Sequence, residues 1–132
     1  MKITAIIEKG SDGMYSIRSE QHFGGNYFGG FGESVAIAKE DFNESVQEAL
    51  TDAKAEGLEV TEGYTVIFQY DLPSFFNDFD FINASKFAQY AGINESKMRQ
   101  YKSGTAYPGE KTVKKILDAI HCIGSELSSV SL

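Results

Sequence analysis

At 132 residues and 14.5 kDa, with 42% apolar residues, ten Phe and seven Tyr, the chain suits one or two small domains with a buried core and lies outside disordered compositions. A single Cys excludes an internal disulfide, no apolar run reaches the length of a membrane span, and Met1-Lys2-Ile3-Thr4 opens no signal-like stretch, so a folded, soluble, cytoplasmic protein is expected. Taken as an average, the net charge of −7 argues against a nucleic-acid partner, because phosphate binding needs Lys and Arg to release counterions.

Residues 2–8 (KITAIIE) are Ile-rich and partly alternating, and Met14 to Glu20 form a second strand-like run after Lys9-Gly10-Ser11-Asp12-Gly13. An Asp-Gly between two such runs predicts an antiparallel hairpin, since Gly accepts positive φ and Asp bonds its own backbone. In Gly24 to Gly32 five glycines alternate with Tyr27, Phe28 and Phe31, which predicts a short, irregular third strand. Its aromatics either face the core, as strand aromatics usually do, or form an exposed contact patch. From Ser34 to Glu56, Val35, Ala38, Phe42, Val46, Ala49, Leu50 and Ala53 recur at helical spacing with acids elsewhere, which predicts a long amphipathic helix capped by Ser34 and closed by Gly57. Tyr64 to Tyr70 is the next strand, so residues 1–72 read β-β-β-α-β, an open sheet with one helix whose other face or edge calls for a partner or a second copy.

Pro73 punctuates the chain, and residues 73–132 hold helix signatures only, so an α+β chain of two domains, 1–72 and 73–132, is expected. Ser74 to Phe79 is a short helix with Ser74 as its cap. Asn83 caps a helix over 84–91 stopped by Gly92, Asn94 caps another over Glu95 to Ser103 stopped by Gly104, and Lys111 to Cys122 forms a further helix after Pro108. Charge follows the same division: residues 1–77 sum to −8 and residues 78–132 to +1, while residues 83–117 carry seven Lys or Arg against Glu95 and Glu110.

The segment Asn83 to Ile120 resembles, without a gap, the helix-turn-helix domains of lambda-repressor-like transcription regulators. Ala88 is the small residue where two helices cross, Gly92 takes the turn, and Ile93, Met98 and Tyr101 have the spacing of core plugs. The resemblance implies that Glu95 to Ser103 lies in the major groove, with Glu95, Ser96, Arg99 and Gln100 toward base edges. Arg99 can pair with guanine O6 and N7, and Gln100 with adenine N6 and N7. Lys86, Lys97, Lys102 and Ser103 would meet phosphates, which position the protein without selecting sequence. Ala84 stands where the family often has a phosphate-touching Gln, which implies modest single-copy affinity and dimeric binding to a paired site.

A β-β-β-α-β head before such a domain resembles the HicB antitoxins, on residues 2–8, Asp12-Gly13 and Gly30-x-Gly32-x-Ser34 leading into the acidic helix. The resemblance implies a partial RNase H-like head, a homodimer or higher homo-oligomer, double-stranded operator DNA as one partner, and a small basic HicA-like toxin as another, suited by charge to the acidic head. Two alternatives stay open: a protein-interaction module that binds no DNA, and a ligand-sensing repressor unrelated to a toxin. Enzymatic activity, a metal and a cofactor are not expected. His22 and His121 are far apart in sequence, Cys122 reads as a small buried hydrophobe, and the strand runs offer only Glu8 and Glu20 as carboxylates.

Overall fold

The computed structural model describes residues 1–23, 26–60 and 63–132. Gly24 and Gly25, the first glycines of the expected third strand, lie outside them. Among the described residues the chain is α+β, with a four-stranded mixed sheet and five helices: β1 (Lys2–Lys9), β2 (Tyr15–Phe23), β3 (Asn26–Gly32), α1 (Val35–Ala55), β4 (Thr65–Tyr70), α2 (Leu72–Asp78), α3 (Ala84–Ala91), α4 (Glu95–Ser103) and α5 (Glu110–Ser128). It divides into two compact units, residues 1–75 and 76–132. No helix among the described residues is long and apolar enough to cross a membrane.

In the first unit the strand order is β3-β2-β1-β4, with β1–β2 and β2–β3 antiparallel and β1–β4 parallel. The β1–β2 turn forms as Asp-Gly chemistry requires: Gly13 has φ 81°, and the Asp12 carboxylate accepts from the Met14 amide at 2.9 Å. Alternation then sends Ile3, Ala5, Ile7, Tyr15, Ile17 and Phe28 to one face of the sheet, where Ala38, Phe42 and Val46 of α1 cover them. Ser34 caps α1, its hydroxyl accepting from the Ile37 amide at 3.1 Å.

Two details bind α1 to β3. A Cβ on Gly30 would collide with the Ala38 carbonyl oxygen and stand 2.5 Å from the Phe42 nitrogen, so only glycine lets helix backbone and strand backbone meet. Along the strand, the amides of Gly29 and Phe31 donate to Ser45 Oγ (3.3 Å) and Asp41 Oδ2 (2.9 Å), so side chains of α1 occupy polar groups of an edge strand. The β2–β3 register shifts between Arg18 and His22, and the buried Ser19 hydroxyl fills the break by accepting from the Phe28 amide (2.9 Å) and donating to the Gln21 carbonyl (2.6 Å).

The short helix expected from Ser74 begins earlier, at Leu72. Pro73 falls in its first turn, where a missing N–H costs nothing, instead of ending structure before it. Ser74 is no cap; it is buried and accepts from the Lys9 amide at 3.2 Å. In the second unit Phe76, Phe87, Ala88, Met98, Tyr101, Ile116 and Ala119 are buried, with Phe76 and Phe87 meeting edge to face. Ile93, expected among the core plugs, is only partly buried.

Candidate nucleic-acid interface

Helices α3 and α4 are set by local chemistry at both ends. Asn83 and Asn94 accept from the amides of Lys86 (3.0 Å) and Lys97 (3.1 Å), as N-cap carboxamides do. Gly92 (φ 73°) and Gly104 (φ 79°) end the two helices in the left-handed conformation that favours glycine, and each cap amide bonds back into the last turn. The turn between the helices is thereby held from both sides, with Ala88 and Met98 fully buried across it.

Because Met98 and Tyr101 point inward, the opposite side of α4 is fixed by the helical period. Ser96, Arg99, Gln100 and Ser103, at i, i+3, i+4 and i+7, share that side and are all exposed. Arg99 Nη2 donates to Ser96 Oγ at 3.1 Å, which steadies the guanidinium along the helix. Ser103 Oγ donates to the Gln100 carbonyl at 3.1 Å and lies 3.0 Å from Thr105 Oγ1, so the hydroxyl expected on a phosphate lies on the same face as the base-edge candidates, one turn further on. Lys97 and Lys102 are exposed on α4 beside this face, and Lys86 is exposed in the first turn of α3. Glu95 behaves differently: it is half-buried, and its carboxylate accepts from Gln89 Nε2 across the turn. That bond occupies one of its oxygens and ties α3 to α4.

Sequence reasoning passed over Gln89, although a carboxamide and a carboxylate flanking a Gly-Ile-Asn turn were a readable signal. It also passed over Thr105, whose hydroxyl donates to the Gln100 carbonyl at 3.3 Å beside the α4 face, and the 86% exposed Tyr107, both in the loop between α4 and α5. On the other side of the unit, Tyr90 donates to Glu126 at 3.2 Å. Its hydroxyl pKa is pushed up to about 12, first by hydrogen bonding with Cys122, then by desolvation and by the charges of Cys122 and Glu126. Tyr90 therefore stays a neutral donor linking α3 to α5 across the physiological range. Cys122 corrects an expectation: it is exposed, not buried, standing at the flank of the inward Ile116–Ala119 face, where it meets the Tyr90 hydroxyl.

In the first unit Phe28 is buried while Tyr27 (63%) and Phe31 (55%) are exposed, so strand alternation divides the aromatics between core and patch. A depression of about 700 Å³ runs along α1 past Asn43, Glu44, Gln47 and Glu48 to Tyr64 and is open to solvent. Among the described residues no three His, Cys, Asp or Glu side chains stand together as a metal site. No protein-family model matches the chain, and neither does any curated protein or solved structure.

Proposed function

We propose that the chain is a sequence-specific DNA-binding transcription regulator of the HicB antitoxin type, acting as a cytoplasmic homodimer. Its second unit reads a double-stranded operator as a lambda-repressor-like helix-turn-helix and represses its own operon. Its first unit, a partial RNase H-like head, masks a small basic HicA-like toxin. The observation that carries the DNA reading is the outward face of α4. Four exposed polar side chains, Ser96, Arg99, Gln100 and Ser103, line one side of a short helix held by asparagine and glycine caps, inside the only net basic stretch of an acidic chain. Arg99 and Gln100 are the side chains whose paired donors and acceptors distinguish guanine and adenine in the major groove. Strand order β3-β2-β1-β4, with one helix between β3 and β4, supports the head assignment.

Replacing Arg99 and Gln100 together by Ala removes both readers without touching Met98 or Tyr101. Each paired base contact contributes about 1–3 kcal/mol of discrimination, so retardation of a fragment from upstream of the chain's own reading frame should weaken by roughly 100-fold or more. Unchanged retardation by a folded double variant would sink the assignment. A second reading, a protein-interaction module without DNA binding, draws on exposed Tyr27 and Phe31 in the acidic unit. It wins if the wild-type chain captures a small basic partner encoded beside it yet binds DNA weakly and independently of salt.

A further inference from the structure

Glu95 and Arg99 stand four residues apart on α4 with the acid on the N-terminal side, the order in which such a pair attracts best along a helix. A guanidinium also bonds a carboxylate more strongly than it bonds a neutral hydroxyl. Left to themselves, the two side chains would pair. Among the described residues, however, Arg99 forms no ion pair, and its Nη2 donates to the Ser96 hydroxyl at 3.1 Å. The acid is held elsewhere by Gln89, in the last turn of α3, whose Nε2 donates to Glu95 Oε1 across the turn. Position 89 is fixed for this task. Its own carbonyl accepts from the Gly92 amide (3.3 Å) and the neighbouring Ala88 carbonyl from the Ile93 amide (2.9 Å), which folds the chain back so that residues 89 and 95 meet. Gln89 and Arg99 are exposed, whereas Glu95 is half-buried.

We propose that Gln89 is a positioning residue for base recognition: by engaging Glu95 on the α3 side of the turn, it keeps the Arg99 guanidinium out of an ion pair and open to a guanine of the operator. Reading guanine takes two donors of one guanidinium aimed together at O6 and N7. A carboxylate on the same fork would take up those donors and cancel the charge behind them. Gln89 therefore acts on specificity through Glu95 and touches no base itself. The inference deepens the regulator reading and rests on it for its consequence at guanine; the competition of Gln89 and Arg99 for one carboxylate is a property of the chain without DNA.

Two measurements on the full chain test it. In nuclear magnetic resonance of the free protein, the cross-peak between the Arg99 guanidinium proton and the Glu95 γ-methylene should strengthen in Gln89→Ala, as the released acid turns to its i+4 neighbour. Fluorescence anisotropy then compares the duplex from upstream of the reading frame with the same duplex carrying 7-deazaguanine, a guanine without N7, so that changes in overall charge cancel. The preference for the natural duplex should fall about two- to threefold in Gln89→Ala, the factor by which an exposed i,i+4 pair competes. In a Glu95→Ala background, where no acid is left to release, Gln89→Ala should change nothing, and Glu95→Ala alone should keep the wild-type preference. A tie that only braced α3 against α4 would be broken by either substitution, and the preference would fall in both. A cross-peak unmoved by Gln89→Ala, or a wild-type preference that survives Gln89→Ala or falls equally in Glu95→Ala, would overturn the proposal. A wild-type chain without any preference, whose cross-peak nonetheless strengthens as expected, would count against the regulator reading alone.

Discussion

Gly30 is the residue on which the first unit closes, because the α1 backbone lies where its side chain would be. Gly30→Ala must push α1 off β3 or bend the strand, and such overpacking costs about 1–3 kcal/mol; backbone on both sides puts this site toward the upper end. Urea unfolding should show a midpoint shift of that size with an unchanged slope. A loss below about 0.5 kcal/mol would mean that the helix slides without resistance. Residues with local roles were the most readable. Asn83, Asn94, Gly92 and Gly104 act on amides and carbonyls a few positions away, so their residue type and spacing carried the structure. Ser74 misled for the opposite reason, since its partner is the amide of Lys9, far off in sequence. Cys122 misled because the face that α5 turns inward is set by what packs against it.

At the scale of elements, periodicity located the strands and long helices, but it carries neither the partner nor the direction of a strand. The parallel β1–β4 pairing, from Lys2 opposite Thr65 to Ile7 opposite Tyr70, was accordingly absent from the sequence reading, as was the protection of β3 by α1. That protection has a measurable consequence. Asp41→Ala with Ser45→Ala removes the acceptors for Phe31 and Gly29 without altering the apolar face of α1. Each bond contributes about 0.5–1.5 kcal/mol, so stability should fall by roughly 1–3 kcal/mol. Two freed amides on an edge strand that also exposes Tyr27 and Phe31 should promote strand-to-strand association, seen as concentration-dependent light scattering near room temperature. Loss of stability without self-association would show that the bonds hold α1 in place but do not guard the edge.

For the whole molecule, a charge of −7 divides into an acidic stretch over residues 1–77 and a +1 remainder whose basic residues cluster around α3, α4 and the start of α5. A duplex approaching α4 therefore meets attraction from the lysines and long-range repulsion from the acids of the same chain. Both fields are set by salt: the Debye length is about 30 Å at 0.01 M and about 8 Å at 0.15 M, against a radius of gyration of about 11 Å expected for a 75-residue unit. At low salt the acidic field extends well past the unit that generates it, and at physiological salt it barely leaves the surface. Replacing Glu40, Glu44 and Glu48, exposed on α1, by Gln leaves the bond of Asp41 to β3 and the residues of α4 untouched while removing three negative charges. Stopped-flow association with a duplex should accelerate several-fold at about 0.01 M salt and converge on the wild-type rate above about 0.15 M, because steering scales with the unscreened field. The preference for operator over unrelated duplex should stay constant, since the altered residues touch no base. An unchanged association rate at low salt would show that the charge of the first unit does not oppose DNA approach.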